Sequence, residues 1–434
     1  MRKRTMAPTR PDDAKADAAK PSGWAWLVFA LGASFFCYAF FQRVAPSVMI
    51  DQLMVDLGVG GAMLGNLSAL YFYAYASLQI PAGALMDRWG ARRMVALAIA
   101  LCALGSVISG LGPNASVVYV GRLLTGIGAA FSFVGALQLA TYWFPAQRFA
   151  LLSGLVMLAG MSGGIAGQAP LALVVDATGW RPAMIGAGLV GLALAAAFVL
   201  IVRDRPGKAA TADTPSNAPS MLAGLAEVAS KPHNWLLALV ASSMSAPLLA
   251  FAGLWGVGWL MQVHGFSRPL AAILTSMLLA GWAFGAPMAG WLSDRFRRRK
   301  APLVACSLGG FVMLTFVLYA PLASPWTFAV LFLICGALLG CMALTYPLAG
   351  ETNRIELSGT AYAFCNTFNV ASGALFQPLI GWLLDLGWDG TMENGARIYS
   401  PEAYAWALAV LPAYSVLGLI ASLMIRESGA KRMA

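Results

Sequence analysis

The chain alternates between long runs free of Asp, Glu, Lys and Arg and short charged connections. The uncharged runs are 21–42, 57–86, 94–121, 123–147, 149–175, 182–202, 232–267, 269–293, 301–350, 357–384 and 403–425. A helix of about 20 apolar residues crosses a bilayer's hydrocarbon core. Only helices and closed barrels satisfy their own backbone there. The 301–350 run is too long for one crossing, and Pro321-Leu-Ala-Ser-Pro325 divides it, so eleven runs predict twelve spans. The expected fold class is an all-α membrane protein.

The spans fall into two sets of six. Residues 203–232, with Arg203-Asp-Arg-Pro206 and the turn-rich Thr211-Ala-Asp-Thr-Pro-Ser-Asn-Ala-Pro219, read as a flexible linker. It separates a first half, 23–202, from a second, 233–426, with tails at 1–22 and 427–434. The halves repeat each other. Gly83-x3-Asp87-Arg88-x3-Arg92-Arg93 returns as Gly290-x3-Asp294-Arg295-x3-Arg299-Lys300, 207 residues on. Gln168-Ala-Pro170…Asp176-x2-Gly-Trp180 returns as Gln377-Pro378…Asp385-x-Gly-Trp388 at nearly the same offset. Two matches, each after the equivalent helix, indicate a duplicated unit. Repeat-built transporters bind substrate between the repeats and rock one against the other.

Composition agrees: 59% hydrophobic and 11% charged residues exclude a soluble protein of this size. A net charge of +10 would suggest nucleic acid in a soluble chain; here its distribution marks topology, and no nucleic-acid partner is expected. With the N-terminus in the cytoplasm, 23 of the 28 Lys and Arg lie on the inner side. Outer loops hold only Arg181, Arg268 and Arg397. Both termini and the linker are therefore expected inside, in a multi-pass inner (plasma) membrane protein. The first 22 residues lack the apolar core of a signal peptide. All six cysteines fall in predicted spans without metal-ligand or redox spacing, and read as packing residues.

Two cations remain inside the spans, Arg43 and Arg122. A charge at mid-membrane costs about 2.5–3.5 kcal/mol on insertion scales and is a functional candidate. No carboxylate lies near either in sequence, so a substrate carboxylate or phosphate would supply a counter-charge, with the bidentate geometry a guanidinium favours. Asp51, Asp176 and Asp385 read as helix-end residues. His233 and His264, at the two ends of helix 7, read as interfacial.

Gly83-Ala-Leu-Met-Asp87-Arg88-Trp-Gly90-Ala-Arg92-Arg93, between helices 2 and 3, resembles the loop signature of the major facilitator superfamily. Arg122-x3-Gly126-x-Gly128 is similar to a second signature. The resemblance covers roughly 24–426. It implies two pseudo-symmetric six-helix bundles, with helices 1, 4, 7 and 10 lining a central cavity. It also implies that Asp87 latches the inner side by bonding the N-terminus of helix 11 near Ser358, where the helix dipole favours a carboxylate. Arg88, Gly90, Arg92 and Arg93 would complete that network beside Gly83. Gly290, Asp294 and Arg295 would form a looser second latch, because Arg297 stands where Gly90 stands in the first copy.

The segment Tyr38-Ala-Phe-Phe-Gln42-Arg43-Val-Ala-Pro46, with Tyr73-Ala-Tyr75…Gln79-Ile-Pro81, resembles the organic-anion and sugar-phosphate branches, in which an arginine at this place binds the anion. Arg43 is thus the expected clamp, with Arg122 assisting. Tyr38, Tyr71, Tyr75, Gln138, Trp255, Tyr346, Asn366 and Asn369 are candidate substrate contacts. Trp259 also lies in a cavity-facing helix. Where proton-coupled members carry acids, this chain has Gln42 and Ala129, and helix 7 lacks the second arginine of the phosphate exchangers. Coupling stays open among exchange, uniport and proton linkage. Gly154, Gly160, Gly163, Gly164 and Gly167 of helix 5 allow close helix approach, but Gln168 and Ala169 break the Gly-Pro pattern of drug antiporters.

No nucleotide-binding loop, metal cluster or nucleophile constellation is present, so neither an ATP-driven pump nor an enzyme is expected, and no cofactor or metal. The expectation is a monomeric secondary transporter of a small organic anion. Transport of amino acids, short peptides or drugs, or a transporter-like ligand sensor, are the alternatives.

Overall fold

A computed structural model describes residues 23–145, 148–203, 221–354 and 357–427. The two predicted tails, most of the linker and the side chain of Asp87 lie outside the described residues. Twelve helices of membrane length follow in the predicted order. The first half holds α1 (Gly23–Val44), α2 (Gly61–Trp89), α3 (Ala91–Leu111), α4 (Ala115–Trp143), α5 (Phe149–Ala166 continued by Ala169–Thr178) and α6 (Trp180–Ile201). The second holds α7 (Pro232–His264), α8 (Arg268–Phe296), α9 (Lys300–Tyr319), α10 (Pro325–Thr352), α11 (Ser358–Leu386) and α12 (Pro401–Met424). We call the side where α1 begins and α12 ends the tail side, and the opposite one the far side.

Ten of these helices are long and apolar enough to cross a membrane, and α2 qualifies together with the short helix Ile50–Leu57, bent 112° from it. α11 is more polar, carrying Asn366, Asn369, Ser372 and Gln377. α2 and α11 pack on each other between the halves, which explains why their sequences need less lipid-facing surface. Elsewhere Leu200, Phe284, Trp326 and Trp406 stand exposed on the outside of the bundles, a surface that water would not tolerate.

The duplication is visible in the packing. α1 pairs with α5 as α7 pairs with α11; α2 with α4 as α8 with α10; α3 with α6 as α9 with α12. Pro81 inside α2 and Pro287 inside α8 fall within one residue of equivalent places. The turns after these two helices match as well. Gly90 has φ 84° and Arg297 φ 51°, so both copies pass through the left-handed region. The first copy uses the residue that enters it freely, and the second holds a side chain there. Of the helix 5 glycines, Gly160, Gly163 and Gly167 press on Phe36, Cys37 and Phe41 of α1, as expected, whereas Gly154 faces open space.

The linker is not wholly flexible. Met221–Ser230 forms a helix. It is docked on the second half by the Glu227–Arg354 pair at 2.7 Å and by Asn234 Nδ2 donating to the Val228 carbonyl at 2.8 Å. Leu225 and Val228, three residues apart on one face, pack into the core.

Candidate functional site

Arg43 sits in the last turn of α1, where Pro46 ends the helix and a 3-10 turn, Ala45–Val48, follows. Its side chain is only 7% exposed. The guanidinium carbon lies 4.1 Å from the ring centroid of Phe40, 5.0 Å from Tyr75, 5.5 Å from Tyr71 and 5.8 Å from Phe72. Its polar neighbours are the hydroxyls of Tyr71 and Tyr75. Among the described residues it makes no ion pair, and its Nε is buried without a partner. Aromatic faces attract a cation, yet none of them carries the formal charge that would neutralise it.

Arg122 is used differently. It is 2% exposed, and Nη1 donates to the Gln42 carbonyl at 2.8 Å. That acceptor is free because Pro46, four residues on, has no N–H to offer it. Arg122 therefore repairs the end of α1, while its Nε and Nη2 stay buried without partners. Its guanidinium carbon lies 5.5 Å from the Tyr71 ring, so one ring neighbours both cations. Gly126, one turn further along α4, lets α2 come this close; a Cβ there would lie 2.5 Å from the Tyr71 carbonyl oxygen. Tyr71 is anchored in turn by donating to the Ala39 carbonyl at 3.0 Å.

Facing these residues, the second half presents Tyr346 of α10 with Asn366 and Asn369 of α11. The Tyr346 hydroxyl donates to Asn366 Oδ1 at 3.0 Å and accepts from Asn369 Nδ2 at 3.2 Å. Tyr346 and Tyr75 are near enough to interact electrostatically. The structure thus brings Arg43, Tyr71, Tyr75 and the Tyr346–Asn366–Asn369 cluster to one seam.

Three expected contacts lie elsewhere. Tyr38 turns into the first half, accepting from Gln42 Nε2 at 2.8 Å and pressing on Gly191 of α6. It shares a helix with Arg43 but not its face. Trp255 is fully buried in the second half, its Nε1 donating to the Gln377 carbonyl at 2.9 Å; Trp259 packs on Phe251 and Phe328. Gln138 lies in the tail-side half of α4, with Nε2 3.1 Å from the Tyr142 hydroxyl.

The far side of the seam is closed. Asp385, at the end of α11, accepts from the Gly61 and Ala62 amides that open α2, at 2.8 and 2.9 Å. Tyr399 and Arg397 hold the same carboxylate at 2.7 and 3.0 Å. In the equivalent place Asp176, at the end of α5, meets Arg268, which opens α8, at 2.6 Å. Arg268 also grips Asp51 through both oxygens at 2.7 Å. Just below, Gln168 of α5 donates to the Ala252 carbonyl at 2.6 Å and accepts from Thr275 and Ser276, both at 2.9 Å. The cross-half hydrogen bonds and ion pairs of Asp385, Arg268 and Gln168 all belong to this far-side belt.

α2 and α11 touch from Gly61 beside Gly381, through Gly65 beside Gln377, to Phe72 beside Gly373; Gly83 and Gly359 then face open space. The expected latch is not engaged among the described side chains. Arg88, Arg93 and Arg295 are exposed. Arg92 donates to the Val199 carbonyl within its own half at 3.0 Å, and Asp294 pairs with Arg299 at 2.7 Å within the other. Gly90 and Gly290 also border open space. Sequence reasoning overlooked the roles of Asp51, Asp176, Arg268 and Asp385, although the repeated Gln-Pro…Asp segment was the signal for two of them.

Two six-helix bundles, bonded to each other on the far side and flanking an unneutralised cation, define a membrane carrier of the alternating-access kind. The chain belongs to the Major Facilitator Superfamily, whose family model matches residues 31–378. Its relatives include the probable sulfoacetate transporter SauU of Cupriavidus necator, 24% identical over 61% of this chain and 64% of that protein, just under two thirds of its length. The probable hexose phosphate transport protein of Chlamydia muridarum is 26% identical over 84% of this chain and 87% of that one. Among solved structures, a bacterial homologue of the human lysosomal transporter Spinster, inward-facing and unoccupied, superposes with a TM-score of 0.74 at 19% identity, covering 94% of this chain and 98% of that one.

Proposed function

We propose that the protein is a secondary transporter that moves a small organic anion, a carboxylate, sulfonate or phosphate ester, across the inner membrane by alternating access. The observation that carries this reading is Arg43, a buried guanidinium at the seam with no acid beside it. An anion's oxygens fit that planar fork, and the Tyr346–Asn366–Asn369 cluster offers hydroxyl and amide groups to a polar tail. The names of the relatives support an anionic substrate. The basic excess on the tail side supports a cytoplasmic placement of that side, with the bonded far side facing outward.

Binding to purified protein, read by thermal shift or tryptophan fluorescence, tests the reading with sulfoacetate, D-gluconate and glucose 6-phosphate. At least one should bind. Arg43→Ala should then lose about 1.5–3 kcal/mol, roughly a 10- to 150-fold weaker Kd. Arg43→Lys should recover only part, because an ammonium lacks the planar fork. Normal anion binding by folded Arg43→Ala would reject Arg43 as the site. Binding of peptides or cationic drugs in place of anions would reject the substrate class.

A further inference from the structure

We propose that the tail-side corner between α8 and α9 binds one anionic phospholipid, its phosphate held by Arg297 and Arg298 and an acyl chain laid along α9. This goes beyond transport and does not depend on the reading of Arg43.

The duplication isolates the feature. At the offset of 207 residues, Arg297 and Arg298 stand where the first half has Gly90 and Ala91. Both turns pass through the left-handed region, at φ 84° for Gly90 and 51° for Arg297. The first copy makes its turn with glycine and alanine, so neither arginine is needed to build one. A side chain in the left-handed region carries a steric cost that glycine avoids. Strain kept where a strain-free residue would serve points to function. Taking both arginines away would leave the 23-to-3 charge split almost intact, so topology does not call for them either. The turn holds them in place: Ser293 Oγ donates to the Arg298 carbonyl at 2.8 Å, and the Arg298 amide donates to the Ser293 carbonyl at 3.2 Å.

Their charge is unanswered. Both side chains are exposed and make no hydrogen bond or ion pair among the described residues. The acids beside them are already engaged. Asp294 and Glu351 pair with Arg299 at 2.7 and 3.2 Å, and Glu427 accepts from the Arg299 and Lys300 amides at 2.9 and 3.0 Å. Next to the two arginines runs a groove of about 520 Å³, lined by Phe296, Arg298, Ala301, Pro302 and Ala305. Ala301 and Ala305 are exposed, and Leu308 and Val312 continue the exposed face of α9. That spacing keeps the four on one helical stripe, leading from the arginines toward the middle of the helix. A phospholipid matches both ends. Its phosphate oxygens fit guanidinium forks, and its hydrocarbon covers the alanine and leucine stripe. A soluble phosphate would leave the groove unfilled. A choline headgroup brings its own cation to the arginines and gains less. The tail side, read above as cytoplasmic, adjoins the leaflet in which basic pockets hold anionic headgroups.

Full-length protein purified in dodecyl maltoside decides the matter, with dioleoyl phosphatidylglycerol, dioleoyl phosphatidylcholine and inorganic phosphate as ligands. Native mass spectrometry measures the first lipid bound, and the melting temperature reads its effect. Phosphatidylglycerol should bind more tightly than phosphatidylcholine and raise the melting temperature more. Arg297→Gly with Arg298→Ala gives the second turn the residues of the first. That variant should fold and, without lipid, melt no lower than the parent. It should bind phosphatidylglycerol about 30-fold more weakly, at roughly 5-fold for each arginine near a membrane surface. Its affinity for phosphatidylcholine should stay as it was. Arg203→Gln with Arg426→Gln removes the same charge from the same side and should change neither affinity. Equal affinity for the two lipids, undiminished phosphatidylglycerol binding by the Arg297–Arg298 variant, or an equal loss in the Arg203–Arg426 control would overturn the site. A variant that melts lower without lipid would show that the two arginines serve the fold instead. Stabilisation by millimolar phosphate that vanishes with Arg297 and Arg298 would replace the lipid by a soluble anion and reject the proposal.

Discussion

Two arginines of one kind do different work, and only their surroundings separate them. Both were legible in the sequence, because a charge inside an apolar run needs a reason. Their division of labour was not, since it depends on a carbonyl that Pro46 leaves without its donor. Arg122 fills that vacancy at 2.8 Å, whereas Arg43 faces the seam. Arg122→Ala should therefore act first on stability. Losing a charge-assisted bond and leaving the Gln42 carbonyl orphaned costs about 1–3 kcal/mol. A lower melting temperature, with anion affinity reduced much less than in Arg43→Ala, is the expected pairing in a thermal-shift titration. An unchanged melting point with lost binding would exchange the roles of the two residues. Tyr38 shows the limit of spacing arguments. It lies five residues before Arg43, and a helix that advances 3.6 residues per turn points it to another face, against Gly191.

At the scale of elements, the duplicated segment was legible as a repeat but not as a device. Asp176 and Asp385 read as carboxylates at helix ends, and such a residue looks the same whether it serves its own half or the other. Only the packing shows that each reaches the helix opening across the seam, α8 for Asp176 and α2 for Asp385. A carboxylate at a helix N-terminus contributes up to about 2 kcal/mol in partly buried geometry. Asp385→Asn should loosen the far-side belt, and Arg268→Ala should do so through the other copy. Ser68 of α2 is fully buried in the described state. A Ser68→Cys reporter should therefore be alkylated from the far side faster in either background, by up to roughly 30-fold. Unchanged labelling would mean that both carboxylates only cap and do not hold the seam shut. The linker helix Met221–Ser230 was within reach of the sequence as well; its turn-rich neighbours hid a short amphipathic stretch.

For the whole molecule, the twelve spans, the two halves and the family were readable from the uncharged runs and the repeated loop, because both follow from the bilayer's demands on every residue. The state of the molecule was not, because one sequence must serve both states. The belt is engaged on the far side, whereas Gly83 of α2 and Gly359 of α11 each border open space. Alternation requires the reverse arrangement, and we propose that the Asp87 signature closes the tail side as the belt lets go. The two closures then compete in a single equilibrium, and weakening one must strengthen the other's share. A Gly83→Cys, Gly359→Cys pair reports this, since open space lies beside both positions here. A short bifunctional thiol reagent should link the pair slowly in the parent protein, judged against the labelling of its native cysteines. Asp385→Asn should raise the yield by favouring the tail-closed state, Asp87→Asn should lower it, and the double variant should fall between them. Once formed, the link should stop transport and leave the far-side Ser68→Cys reporter open to alkylation. Linking that ignores both aspartates would show that the two ends of the seam move independently, and the rocking of one half on the other would have to be abandoned.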